Sequence, residues 1–153
     1  MQKLFEDYLN CLQSLHDDIK LTIEGLPQTA LDWIPGSEMN SLGVIVAHVA
    51  GSERFMIGDI VAKEPSGRDR DAEFRTQGID VAGLNERLDG SLAYIRQVLE
   101  RYSLEDLDTP CVSPRDGSTN SVRWYLFRVM GHVAVHLGHA QITRQMWEQR
   151  SKE

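Results

Sequence analysis

Apolar residues recur at steps of three and four positions in four long stretches of the chain, a spacing typical of amphipathic α-helices. No stretch shows the strict alternation of apolar and polar residues that indicates a half-buried strand. The predicted helices cover about residues 3–25, 41–62, 81–102, and a last segment from Thr119 or Asn120 to about residue 149. Four helices of roughly 20 to 30 residues in one small domain predict an all-α fold, a four-helix bundle with two long loops.

The connections between these helices carry turn-forming and charged residues. Residues 63–78, "KEPSGRDRDAEFRTQG", predict a long solvated connection at the surface. Residues 103–120, "SLEDLDTPCVSPRDGSTN", predict a second long loop. Asn40 or Ser41 is a suitable N-cap for the second helix. Both long loops are expected at the surface, where they can rim a pocket.

Composition narrows the class of protein and of partner. With 153 residues and 41% hydrophobic content, the chain is expected to form one domain over residues 1–153. A net charge of −7 argues against nucleic acid as the main partner. No apolar run approaches the roughly 20 residues that span a bilayer, and the N-terminus lacks a signal-peptide core. Cys11 and Cys111 are expected to be free thiols in a reducing cytoplasm, with a disulfide between them left open.

The segment "MGHVAVHLGHAQ" contains three of the chain's five histidines, at positions 132, 136 and 139. His132 and His136 are one helical turn apart, so both rings face one side of the helix and can chelate a single cation. His136 lies inside the predicted apolar stripe, where an unpaired imidazole would cost about 1–3 kcal/mol. A core imidazole satisfied by a hydrogen bond stays open as the alternative for either ring.

A third ligand is needed, because two side chains from one helix hold a metal poorly. His48 on the second helix is the candidate, although helical geometry places it about 110° from the centre of that helix's apolar stripe. His16, next to two aspartates, is expected to be a solvated surface residue. Three neutral imidazoles leave a coordination position open on a divalent ion, which is typical of catalytic sites. A water or thiol bound there would lose its proton near neutral pH.

Two stretches of the chain resemble the DinB-like superfamily of metal-binding four-helix bundles, and its YfiT-like branch in particular. "WIPGSEMNSLGVIVAHVAGSERF" is similar to the family's Trp, Pro and Gly turn followed by a second helix with a lone histidine. "NSVRWYLFRVMGHVAVHLGHAQITRQMW" is similar to its final helix, in which His-x-x-x-His-x-Gly supplies two ligands. The resemblance implies a metal triad of His48, His132 and His136, the set that the spacing also proposes.

The resemblance also implies a range of activities. Members of the superfamily include S-transferases that use bacillithiol and enzymes that isomerise maleylpyruvate with mycothiol, and many have no assigned reaction. Zinc and nickel are metals associated with the fold, and dimers are common. At one position the chain departs from the family pattern, because many members carry Gln directly after the glycine, where this chain has His139. A surface residue, a partner of a ligand imidazole, a proton shuttle and a replacement ligand are all open for His139, and helical geometry favours the first two.

Charged residues on the same helices are candidates for supporting roles. Glu53 is expected either to orient a ligand imidazole through its carboxylate or to pair with an arginine of a neighbouring helix. Arg54 and Arg128 are candidate substrate-binding residues, because low-molecular-weight thiols of this kind often carry acidic groups. Exposed pairing with carboxylates is the alternative for these two arginines, and for Arg123 and Arg144.

Three functions remain open from the sequence. The first is a divalent-metal-dependent enzyme, a thiol S-transferase or a hydrolase acting on a small molecule, with Zn or Ni and a thiol such as bacillithiol or mycothiol. The second is a stress-associated protein that binds metal or a small ligand without turnover, which the lack of an obvious general base favours. The third is a helical homodimer whose histidines are structural.

Overall fold

Four long helices dominate the computed structural model, which describes residues 1–150. The four long helices form the bundle, and two short helices lie in the connections between them. The predicted all-α four-helix bundle is therefore confirmed. The elements in chain order are α1 (Lys3–Ile23), α2 (Gln28–Leu31), α3 (Leu42–Glu53), a π-helical segment (Arg54–Ala62), α4 (Arg70–Phe74), α5 (Val81–Leu99), a 3₁₀ segment (Leu104–Asp108), β1 (Pro110–Val112), β2 (Thr119–Ser121) and α6 (Val122–Gln149).

Serine side chains begin the two helices that carry the candidate ligands. Ser41 Oγ accepts a hydrogen bond from the backbone N–H three residues later, at 3.2 Å, and caps α3 as predicted. Ser121 Oγ accepts the equivalent bond at 3.2 Å and caps α6. The predicted caps of this last helix, Thr119 and Asn120, are wrong because both residues pair with β1 in an antiparallel hairpin.

The predicted apolar stripes meet in one core between the four long helices. Burying one such aliphatic or aromatic side chain contributes roughly 1.5–3 kcal/mol. Leu4 at the start of α1 stays outside this core, because its side chain is 51% exposed. The fully buried side chains include Phe5, Leu12 and Ile19 from α1, Val46 and Val49 from α3, Leu84, Leu88 and Ile95 from α5, and Val129 and Val133 from α6.

Both long connections contain regular structure. Residues 63–78 include α4, which packs on α3 and buries the Glu73 side chain. In residues 103–120 the 3₁₀ segment is followed by the β1–β2 hairpin. The prediction that the 63–78 connection is wholly solvated is therefore wrong, since α4 covers part of α3.

His16 is not the surface residue that the sequence predicts. It is fully buried, and its Nε2–H donates to Glu53 Oε1 on α3 at 2.7 Å. The second oxygen of Glu53 accepts a 2.5 Å hydrogen bond from the Ser91 hydroxyl on α5. The neighbouring residues Asp17 and Asp18 do face water, so the ring points to another side of α1 and links three helices.

Two further features bear on the sequence predictions. No helix within residues 1–150 is long and apolar enough to cross a membrane. Cys11 is exposed, Cys111 is buried, and both are free thiols, as predicted.

Removal of the Glu53 carboxylate should destabilise the fold, because the buried donors of His16 and Ser91 would lose their acceptor. We expect Glu53→Ala to lower the free energy of unfolding by about 3 kcal/mol, measured by urea denaturation. Glu86→Ala, at an exposed position of α5, is the control and should change it by less than about 0.5 kcal/mol. Equal, small changes in both variants would show that the network contributes nothing to stability.

Candidate metal centre

Three imidazole rings meet where α3 packs against α6. The ring centroids of His48 and His132 are 5.1 Å apart, those of His48 and His136 are 4.9 Å apart, and those of His132 and His136 are 4.4 Å apart. Each ring offers one nitrogen as a ligand, and these three nitrogens all lie within 4.8 Å of one another. All three residues are partly buried. The structure thus brings together the three histidines that the sequence singles out.

His48 reaches this point although it lies off the centre of the apolar stripe of its helix. The helix α3 packs against α4, α5 and α6, so much of its circumference is covered. Every residue in 42–50 is buried except His48, which is partly buried. Because α3 is surrounded in this way, a side chain that flanks the main stripe still faces a neighbouring helix.

One pair of donor nitrogens has the spacing of two ligands on one divalent cation. His48 Nε2 and His132 Nε2 are 3.2 Å apart. Two nitrogens bound tetrahedrally to one zinc ion at 2.0–2.1 Å would be about 3.3 Å apart. The Nδ1 atoms of His132 and His136 are buried without a hydrogen-bond partner among residues 1–150. Such unpaired polar atoms are costly, so neither α6 ring is the fully hydrogen-bonded core imidazole that the sequence leaves open as the alternative.

Burial keeps the two rings of α6 neutral. Burial, together with the nearby His136, His48 and arginine side chains, lowers the pKa of His132 to about 3. Burial, together with His48, His139 and Arg128, lowers the pKa of His136 to about 4. At neutral pH both imidazoles are therefore in the uncharged form that ligates a metal.

Glu73, which no sequence pattern marks as a site residue, orients the His48 ring. Its Oε2 lies 3.0 Å from His48 Nδ1. Because a carboxylate only accepts, this contact assigns the proton to Nδ1 and leaves Nε2 free. Arg68 binds both oxygens of Glu73, at 2.5 and 2.8 Å, and its Nη2 lies 3.4 Å from His48 Nδ1. Burial alone would raise the pKa of Glu73, but hydrogen bonds from Arg68 and His48 lower it.

Gly51 makes room for this carboxylate on the surface of α3. A Cβ atom at position 51 would lie 2.0 Å from Glu73 Oε1 and 2.6 Å from its Cδ. A larger residue would therefore force Glu73 to move. The contact between Glu73 and His48 therefore depends on the absence of a side chain at Gly51, one helical turn after His48 on α3.

Two predicted supporting residues lie beside the triad. His139 is exposed, and its ring centroid is 5.4 Å from that of His136, which agrees with a surface position next to a ligand candidate. Arg128 is also exposed and lines a cavity together with His48 and His132. Its positive charge contributes to the low pKa values of both α6 rings.

Two other predicted residues lie away from the triad. Glu53, expected beside a ligand imidazole or an arginine, bonds instead with His16 and Ser91 in the core. Five positions along an α-helix turn a side chain by about 140°, which separates Glu53 from the face of the ligand on the same helix. The guanidinium carbon of Arg54 is 3.4 Å from the ring centroid of Tyr94 on α5. Arg54 lines a separate cavity of about 440 Å³ whose wall includes none of the three histidines.

Two cavities reach different members of the triad. One, of about 300 Å³, has His48 and His132 in its wall, together with residues of the π-helical segment and of both long connections. The other, of about 260 Å³, has His136 and His139 in its wall. The long connections thus rim a pocket, as the sequence predicts. This arrangement can present two small molecules to one centre.

Comparison with known proteins adds a family and two structural relatives. A family model described as mycothiol S-transferase matches residues 7–149. A conserved protein from Enterococcus faecalis has a TM-score of 0.79 at 14% identity, covering 95% of this chain and 98% of that chain. YfiT from Bacillus subtilis, described as a probable metal-dependent hydrolase with an unusual four-helix bundle topology, has a TM-score of 0.73 at 16% identity, covering 95% and 89%. No curated protein matches the chain.

The two structural relatives share the fold of this chain, and the resemblance of its histidine segments to DinB-like proteins is confirmed. The family model covers nearly the whole sequence, including all three histidines of the triad. The chain therefore belongs to the mycothiol S-transferase family of DinB-like four-helix bundles.

Proposed function

We propose that this protein is a metal-dependent transferase that joins a low-molecular-weight thiol to a small electrophile. His48, His132 and His136 hold the metal in this proposal. The observation that carries it is the convergence of three ring nitrogens within 4.8 Å. Membership of a thiol-transferase family supports the reaction class.

The donor set suits zinc or nickel, since neutral imidazoles are good ligands for both metals. Three protein ligands leave a coordination position for a substrate. When bound, the metal would lower the pKa of a coordinated thiol and so favour its thiolate form. Such a centre needs no serine or cysteine nucleophile from the protein.

The protein's own residues orient the site and admit the substrates. Glu73 accepts the Nδ1–H of His48 and so directs the free Nε2 toward His132. Arg68 holds the Glu73 carboxylate with two hydrogen bonds. The two cavities that reach the triad supply one entrance for the thiol and another for the electrophile.

Mycothiol is the thiol that the family name favours, and bacillithiol is the other candidate. Hydrolysis is the second candidate reaction, with water in place of the thiol, because YfiT is described as a probable metal-dependent hydrolase. Binding without turnover is the third. A homodimer and a cytoplasmic location stay predictions.

Metal content tests the site directly. We expect protein purified without a polyhistidine tag to bind about one equivalent of zinc or nickel per chain, because one group of three imidazoles is available. His136→Ala should weaken binding at least about tenfold, measured with a competing chelator. His139→Ala, on the same helix, is the control and should bind normally. Less than about a tenth of an equivalent in wild type, even after metal addition, would refute the metal site.

Turnover tests the reaction class. Metal-loaded protein is mixed with mycothiol or bacillithiol and a chloronitroarene, and formation of the thioether is followed by absorbance. We expect turnover with at least one thiol, and a loss of about 100-fold or more in kcat/KM for His136→Ala. Ester hydrolysis without any thiol would instead favour a hydrolase. No turnover with either thiol or an ester would favour binding alone.

The contact between Glu73 and His48 should matter for metal affinity. We expect Glu73→Ala to weaken zinc binding by about 10–100-fold, with Glu73→Gln recovering part of the loss because it keeps an acceptor. Gly51→Ala should cause a similar loss by displacing the carboxylate.

Two matched controls separate this effect from a general disturbance. Asp71→Asn removes an exposed carboxylate from α4. Gly90→Ala adds a methyl group where no other atom lies within 4 Å. Both should bind zinc as wild type does, and zinc affinity unchanged in Glu73→Ala would show that Glu73 does not position the ligand.

A further inference from the structure

The cavity beside His48 and His132 is strongly basic in an acidic protein. The chain has 16 basic and 23 acidic residues, a net charge of −7. Yet four arginines line this one cavity of about 300 Å³: Arg68, Arg70, Arg115 and Arg128. Among the described residues the wall contains a single carboxylate, that of Asp116. The distribution of charge is thus reversed at the candidate metal centre.

Three of these arginines are not neutralised by an ion pair. Arg68 binds Glu73, whereas Arg70, Arg115 and Arg128 form no salt bridge within residues 1–150. Arg70 instead lies over the ring of Phe74, at 4.7 Å from the centroid.

The carboxylate of Asp116 is occupied by its own loop. It accepts hydrogen bonds from the Ser118 backbone N–H at 3.0 Å and from the Ser118 hydroxyl at 2.7 Å. It attracts Arg115 only through a weaker charge interaction. The cavity therefore keeps an excess of positive charge, to which a bound divalent metal would add.

The other cavity at the triad has a different character. Its wall contains Glu38 and the apolar side chains of Met39, Ile45 and Ile142, and within residues 1–150 it includes no arginine or lysine. An anion is therefore expected on the His48 side of the centre and an uncharged, apolar group on the His136 side.

We infer that the arginine-lined cavity is a subsite for a small substrate that carries a carboxylate. Guanidinium groups bind carboxylates with paired, charge-assisted hydrogen bonds. Phe55, Met56 and Trp124 in the same wall provide apolar contacts for the body of this molecule. The inference rests on the proposed function, and the carboxylate belongs either to the thiol or to the electrophile.

Binding of a simple carboxylate tests this subsite without turnover. The probe is 4-fluorobenzoate, compared with its uncharged analogue 4-fluorobenzamide, and binding is followed by ¹⁹F NMR on metal-free and zinc-loaded protein. We expect both forms to bind the carboxylate at least about fivefold more tightly than the amide. Arg115→Gln and Arg128→Gln should each remove most of this preference.

Arg123→Gln is the matched control. Arg123 lies on α6 like Arg128 but pairs with Asp108 at 2.9 Å and is outside the cavity wall. The Arg123→Gln substitution changes the net charge by the same amount as the two cavity substitutions and should leave the preference for the carboxylate intact. Equal binding of the two probes, or an equal loss in the control, would overturn the inference. Carboxylate binding that requires zinc and survives both cavity substitutions would overturn it as well, since the metal would then be the binding partner.

The metal-free arm separates this inference from the proposed function, because a protein without metal or turnover can still show the carboxylate preference. Turnover with matched pairs identifies the source of the charge. A charged thiol with a neutral electrophile and the reverse pair are compared in wild type and Arg128→Gln. A KM increase confined to one pair assigns the carboxylate to that substrate. Unchanged KM for both pairs would contradict a substrate role for the subsite.

Discussion

The side-by-side packing of α3 and α6 is the contact on which the candidate site depends. Each helix alone presents too few ligands, with one imidazole of the triad on α3 and two on α6. Burial of the apolar faces sets the distance between the helices, and that distance places His48 opposite the α6 pair. The same burial removes water from the rings and keeps the α6 imidazoles uncharged. Fold stability and ligand geometry therefore have one physical cause.

The connections then complete what the bundle begins. The 63–78 segment places Glu73 against α3, where its carboxylate accepts the Nδ1–H of His48. The same segment supplies Arg68, which donates a hydrogen bond to that carboxylate. The hairpin at the start of α6 adds Arg115 to the wall of the adjacent cavity. The bundle thus positions the ligands, while the loops determine charge and access, a division of roles that is common in proteins.

Periodicity is sufficient to predict the four helices, most of the core and the one-turn spacing of His132 and His136, whereas it places His48 off the apolar stripe of its helix. It could not reveal Glu73, because a charged residue in a charged connection looks solvated until a tertiary contact buries it. The exposure of His16 is predicted wrongly for a related reason. Its aspartate neighbours are exposed, but adjacent side chains on a helix point about 100° apart, so His16 can face the core. Glu53 does not contact any of the three candidate ligands, because its face of α3 meets α1 and α5. Local sequence therefore predicts which histidines converge better than it predicts the residues that contact them.

The central claim is that these three histidines share one cation and leave part of its coordination sphere open. X-ray absorption of the zinc-loaded, tag-free protein tests it most directly, because the fine structure reports the number and type of ligands. The account predicts three imidazole nitrogens at about 2.0 Å and at least one exchangeable oxygen ligand, which a thiol replaces with sulfur at about 2.3 Å. A shell made only of oxygen, or one with a single imidazole in both wild type and His48→Ala, would contradict it.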